Sequence, residues 1–327
     1  MIRSRFFIGI VLVAAYAAVG ICLWFGIVRY VSDSPIPAKK TVYYYIPSGS
    51  GLLKASYQAA RDDLVRAPWQ FKAAVRLRGL ERSLYAGEYE IAPGTRLTDV
   101  LSKIQKQERY QRHLVIPEGL SAAEVKALLS SAFGLEGGDD VSIKEGSVLP
   151  DTYFYERGDN AKSLVHRMQG AMNKELLSLW QTRAADLPFE DPEQALILAS
   201  IVEKETGVPS ERPLVAAVFV NRMKKGMRLQ SDPTVSYGLT GGLPLDRALT
   251  SADLREETPY NTYRIAGLPP TPIANPGKAA LEAVLHPADV NYLYFVADGT
   301  GGHAFASTLR AHNRNVARWR HHQQKRR

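Results

Sequence analysis

The 327-residue chain reads as an α+β protein carrying a single N-terminal transmembrane helix. Three observations predict this. An uncharged apolar run opens the chain, short strand-like runs then alternate with helical ones, and a helix apolar on all sides lies past the middle. A hydrophobic content of 45% supports a packed core and argues against disorder over most of the length. The formal net charge is +8, but Arg310, Arg314, Arg318, Arg320, Lys325, Arg326 and Arg327 supply most of it within an acid-free end. The remainder is close to neutral, which is poor material for a nucleic-acid interface. Cys22 is the only cysteine, so no internal disulfide, cysteine metal cluster or Cys–His nucleophile is available.

Residues 1–5 are short and basic, and Phe6–Val28 follows with 23 residues free of charge. About 20 such residues cross a bilayer, whereas a signal peptide has an apolar core of roughly 7–15 and a small-residue cleavage site. The run ends instead in Arg29-Tyr30. An uncleaved anchor over 6–28 is therefore expected, in the plasma (inner) membrane, and Arg3 and Arg5 favour a cytoplasmic N-terminus with the rest of the chain outside. Residues 29–40 read as a Pro/Lys linker without periodicity.

Beyond the linker, Thr41–Ile46 and Tyr85–Ile91 alternate like strands, each followed by a turn and a helical run, Leu52–Leu64 and Leu97–Lys106. A third such unit is Leu114–Gly119 with Ser121–Ser131; Thr98 and Ser121 are candidate caps. Residues 41–106 form a small α+β module before a mixed α/β main domain at 107–320. Within the latter, Ala132–Glu145 is a loop and Asn160–Ala184 an amphipathic helix. Asp191 and Pro192 mark a helix start, and Gly207 and Pro209 its stop. Ser210 is positioned to cap a helix running to Lys225. Arg228–Pro276 is rich in turns and aromatics, Tyr292–Ala297 is a strand that turns at Asp298–Gly302 into His303–Phe305, and a last helix runs to about Arg320, leaving a basic tail at 321–327.

The chemistry concentrates at Leu196–Thr206. Glu205 extends the apolar stripe of Leu198, Ile201 and Val202, at the negative end of the helix dipole. Burial and the dipole both raise a carboxyl pKa, which keeps a general acid protonated. Glu203 lies about 200° around the helix and cannot face the same substrate bond, and Lys204 and Arg212 offer it ordinary ion pairs. On spacing alone, two solvated helix-end carboxylates explain the pattern at least as well. The flanking loop adds Gln230, Asp232, Tyr237, Asn261 and Tyr263, a mixture of aromatic faces and polar groups that suits a sugar cleft, and His303 is a candidate for the same cleft. The histidines lack the spacing of a metal site, and no cofactor motif is present.

At these residues the chain resembles a known family. Leu198–Thr206 (LASIVEKET), Arg228–Thr234 (RLQSDPT), Tyr260–Tyr263 (YNTY), Gly267–Pro272 with Asn275-Pro276-Gly277, and Tyr292–Gly302 with His303 and Phe305 are similar to the YceG-like family of endolytic murein transglycosylases. The resemblance implies cleavage of the MurNAc-β-1,4-GlcNAc bond within nascent peptidoglycan strands without water, leaving 1,6-anhydro ends. It implies that the second acid of the Glu-Lys-Glu-Thr run, Glu205, is catalytic, with no metal or cofactor. It also implies a LysM-like role for 41–106 and peptidoglycan synthases as partners. Two other readings stay open from the residues: a peptidoglycan-binding scaffold without activity, and a muramidase-type hydrolase in which Asp232 or Asp151 partners Glu205.

Overall fold

The N-terminal apolar run folds into α1 (Ile2–Asp33), with side chains exposed from Ile10 to Ile27. Among the described residues it is the one helix long and apolar enough to cross a membrane. The structure, a computed structural model, describes residues 2–325, without the side chains of residues 2–9 and 325. The expected cytoplasmic end at 1–5 and the last two arginines of the basic tail thus fall outside what its side chains describe. The chain forms two units, Met1–Arg112 and His113–Arg327.

In the first unit the expected linker is not a free one. α1 continues to Asp33, the Ile36 N–H donates to the Thr95 carbonyl at 2.8 Å, and the Ala38 N–H donates to Asp63 at 3.0 Å. Ile36 and Ala38 are buried in the unit's core. That core lies between β1 (Val42–Ile46), α2 (Leu52–Arg61), α3 (Pro68–Leu77), β2 (Gly87–Ile91) and α4 (Leu97–Gln105). β1 and β2 pair antiparallel, with Tyr44 opposite Tyr89, and both rings are buried with Phe71. The helix α3 was not expected: its apolar positions Phe71, Ala74 and Val75 have helical spacing, but Lys72 and Arg76 interrupt the pattern. Arg96, not Thr98, occupies the N-cap position of α4.

The second unit holds β3 (Arg112–Val115), α5 (Ala122–Ser131), β4 (Thr152–Tyr155), α6 (Ala161–Gln181), α7 (Pro192–Glu205), α8 (Arg212–Lys224), α9 (Asp232–Thr240), α10 (Lys278–Leu285), β5 (Tyr294–Ala297), β6 (His303–Ala306) and α11 (Leu309–Lys325). β3 pairs with β4, and β5 with β6 in antiparallel register that sets Ala297 against His303. Ser121 caps α5 in a reciprocal box with Glu124. Ser210 does not cap α8, because a 3-10 turn over Pro209–Glu211 intervenes and Glu211 takes that position. Two further helices, α9 and α10, lie in or just after the turn-rich stretch. α11 carries the chain helically to Lys325, so residues 321–325 are not a separate tail.

α7 is the axis of this unit. Asp191 caps it, accepting from the Gln194 N–H at 2.9 Å, with Pro192 in the first turn. Ala195 and Ile197 through Val202 are buried against α6, α8, α9 and α10. Two residues past Ile273 of this core, Asn275 is wholly buried. Its backbone N–H and its Nδ2 both donate to the Leu120 carbonyl at 2.8 Å, and its Oδ1 accepts the Val148 N–H at 3.0 Å. Asn275→Ala orphans the buried Val148 N–H and leaves the Leu120 carbonyl with only the backbone donor, so it should cost about 1–3 kcal/mol of stability, read as a lower urea midpoint at unchanged m-value.

Candidate active site

Glu205 is the last residue of α7, after the fully buried Leu198, Ile201 and Val202 that form its stripe. Its neighbours arrive from three other segments. The Ser231 hydroxyl, at the entrance to α9, donates to Glu205 Oε1 at 2.5 Å. Ser231 is itself fixed: its N–H donates to Thr262 Oγ1 at 2.9 Å, and Thr234 Oγ1 donates to its carbonyl at 2.7 Å. Thr234 and Thr262 meet hydroxyl to hydroxyl at 2.9 Å, and both are buried. The chain enters this knot through Gln230 in a left-handed conformation, φ 54°, with its N–H on the Thr262 carbonyl at 3.2 Å. A non-glycine residue held there carries about 1 kcal/mol or more of backbone strain, which the surrounding bonds must over-determine.

Three further side chains bear on the carboxyl electrostatically. Asp232, next to Ser231, accepts the Tyr263 hydroxyl at 2.7 Å. Arg222 of α8 is buried, with Nε on the Leu293 carbonyl at 2.6 Å and Nη1 on the Leu229 carbonyl. His303 donates Nδ1–H to Glu211 Oε2 at 2.6 Å while its backbone N–H donates to Glu211 Oε1 at 2.8 Å, so one carboxylate fixes both strand and ring. Burial dominates the sum. It pushes the Glu205 carboxyl up to about 7, Asp232 adds to the rise, and the Ser231 hydroxyl, His303 and Arg222 oppose it. A carboxylic acid that keeps its proton near neutrality can donate it and take it back.

Glu203 has a different office. Its side chain is 5% exposed, and it accepts from Arg212 at 3.3 Å and from the Gly277 N–H at 2.9 Å. Arg212 also reaches Glu118 at 3.2 Å. The expected pair with Lys204 does not form; Lys204 Nζ donates to the Gly119 carbonyl at 3.0 Å. Glu203 therefore ties α7 to the 118–120 and 275–277 segments on the side away from Glu205.

The other sequence candidates divide. Asp232, Tyr263 and His303 surround Glu205 electrostatically. Tyr237 stands in a cleft of about 460 Å³ that Asp232, Lys204, Leu243 and Arg247 also line, with its hydroxyl on Glu145 at 3.2 Å and its ring 4.8 Å from Tyr260. A second cavity of about 440 Å³ is bordered by His303, Trp319 and His322. The Gln230 side chain is exposed beside the knot. Asn261 is a correction. It is wholly buried, its Nδ2 donates to the carbonyls of Asp253, Leu254 and Glu256, and its Oδ1 accepts the Tyr263 N–H at 3.0 Å. It shapes the loop that presents Thr262 and Tyr263 and has no face toward a ligand. Ser231, Thr262, Arg222 and Glu211 were not singled out from the sequence, although the first two lie inside its polar motifs.

The carboxyl leaves a thermodynamic signature. The unfolded chain ionises Glu205 near 4.5 and the folded one near 7, so stability is full below about pH 4.5 and falls as pH rises to about 7. Glu205→Gln lacks this penalty and should exceed the wild type by as much as ~3 kcal/mol at pH 8, with the gain vanishing toward pH 4.5. Urea unfolding of both proteins across that range checks it.

The sequence profile of the YceG-like family matches residues 44–318. The endolytic murein transglycosylase of Bacillus subtilis (strain 168) is 31% identical over 310 residues, 85% of this chain and 84% of that protein. The endolytic murein transglycosylase of Streptococcus pneumoniae (serotype 2, strain D39) is 29% identical over 340 residues; the match covers 88% of this chain and 61% of the pneumococcal protein, under two thirds of its length. The crystal structure of a YceG-like protein from Listeria monocytogenes matches with a TM-score of 0.53 at 28% identity, over 85% of this chain and 99% of that one.

Proposed function

The chain belongs to the YceG-like family, and from that premise we propose that it is a peptidoglycan lytic transglycosylase that cuts MurNAc-β-1,4-GlcNAc bonds inside glycan strands. One observation carries the reading: Glu205 is a half-buried residue whose carboxyl is raised to about 7 and fixed by the Ser231 hydroxyl, and its chain neighbour Lys204 and Ser231's neighbour Asp232 both line the Tyr237 cleft.

Glu205 acts first as the acid. Its proton passes to the glycosidic oxygen as the C1–O4 bond breaks, and the leaving GlcNAc departs with a free 4-hydroxyl. The muramyl 6-hydroxyl of the same sugar then closes on C1, and its proton returns to Glu205. No water is consumed and the acid is regenerated, so one carboxyl suffices where a hydrolase needs two. Asp232, held by Tyr263, offers negative charge to the positive anomeric carbon of the transition state. Arg222, His303 and the Ser231 hydroxyl keep the conjugate base of Glu205 from becoming too strong to release its proton again. The 41–106 module supplies a LysM-like hold on the strand, and α1 anchors the enzyme beside synthases, N-terminus inward, where cutting new strands limits their length.

A hydrolytic variant of the reading is favoured by one feature, the charge of Asp232 acting on Glu205. Mass spectrometry of products from uncross-linked glycan strands separates the two. Fragments from internal cuts should end in 1,6-anhydroMurNAc and resist borohydride, and Glu205→Gln should lose at least about 100-fold in rate. Reducible ends would assign a hydrolase with Asp232 as the second carboxylate. Full activity in the Gln variant would make the glutamate structural.

A further inference from the structure

A groove outside this site lies within the first unit. Trp24, Phe25 and Val28 of α1 form one wall, and Trp69, Lys72, Ala73, Arg76 and Leu77 of α3 the other, around about 370 Å³. The α3 residues follow one another at i, i+3, i+4, i+7 and i+8, a single helical face. The opposite face of α3, Phe71, Ala74 and Val75, is committed to the core. α3 therefore has two apolar faces, and the outer one carries two cations. No acid occurs anywhere in α3. Trp24 and Trp69 sit with ring centroids 5.6 Å apart, yet Trp24, Phe25, Trp69 and Leu77 each remain between 42% and 52% exposed.

What covers this surface follows from where α1 is. On the reading of α1 as the anchor, which this inference adopts from the proposed function, Trp24 and Val28 lie at the end of the span where the helix leaves the hydrocarbon. Tryptophans collect at that level, and long basic side chains reach from it to the lipid phosphates. A soluble partner would have to enter the bilayer surface to meet Trp24 and Phe25. A lipid is already there, with an apolar chain to match the aromatic wall and a negative head to match Lys72 and Arg76.

We propose that the α1–α3 groove binds an anionic phospholipid of the leaflet into which α1 emerges, its phosphate held by Lys72 and Arg76 and an acyl chain laid along Trp24, Phe25 and Leu77. The site is a docking surface for lipid, separate from Glu205 and its cleft.

The test uses the full-length protein reconstituted into vesicles of equal parts phosphatidylglycerol and phosphatidylcholine, then released in mild detergent for native mass spectrometry. The wild type should retain phosphatidylglycerol over phosphatidylcholine. The double variant Lys72→Glu/Arg76→Glu should lower that retention by more than roughly 30-fold, the figure that loss of two cations alone gives at about 5-fold each near an anionic surface. Lys54→Glu on α2 should leave it unchanged, and the milder pair Lys72→Gln/Arg76→Gln gives the same direction if the charge reversal unfolds the unit. Insertion with no lipid preference, or retention undiminished in both pairs, overturns the groove while leaving the anchor intact. Failure of the protein to float with the vesicles overturns the anchor and the groove together. Displacement of phosphatidylglycerol by an added polyprenyl phosphate overturns the assignment to phospholipid.

Discussion

A carboxyl group placed where a carboxylate is unwelcome organises the second unit. Glu205 ends a helix whose dipole is negative at that point, behind a stripe of side chains with no access to water. The neighbours moderate this cost without removing it. Ser231 gives one hydrogen bond, Arg222 and His303 lower the carboxyl from a distance, and Asp232 works against them. Glu203 differs in meeting Arg212 and the Gly277 N–H directly; burial raises its carboxyl too, and those two partners oppose the rise. Among the described residues, direct contact with a cation is present at one glutamate and absent at the other, two residues away.

Holding such a group requires a rigid surround. Thr262 and Thr234 hold the Ser231 backbone at both its N–H and its carbonyl, next to the left-handed Gln230, and from that fixed backbone its hydroxyl reaches Glu205. The loop that supplies Thr262 is held by Asn261, and the strand that supplies His303 by Glu211. On the far side of α7, Glu203, Arg212, Glu118 and Gly277 form a second polar set that fixes the helix against two loops. Glu205 and its neighbours are thus held by bonds from several separate segments.

Local physics made much of this legible. Asp191-Pro192 announced the start of α7, the 3- and 4-residue spacing of Leu198, Ile201 and Val202 pointed to Glu205, and the glycine turn marked the β5–β6 hairpin. What escaped depends on distant partners. The bond from Ser231 to Glu205 joins segments 26 positions apart, and nothing in RLQSDPT distinguishes its serine from a solvated one. Asn261 misled for the same reason: a polar amide among tyrosines looks like a ligand contact until its loop is seen to close around it. Helices α3 and α9 were hidden by composition, one by cations on its outer face and one by the proline and polar residues of its first turn.

The burial of Ile36 and Ala38 changes what the segment after α1 is for. A flexible tether of that length would let the module sample a hemisphere above its anchor, with an effective concentration diluted over that volume. Here the chain is bonded to Thr95 and Asp63 as soon as it leaves the helix. The module is mounted on α1 as on a mast, and its distance from the apolar stretch of that helix is a property of the fold. The ordering entropy of this segment is lost once, during folding.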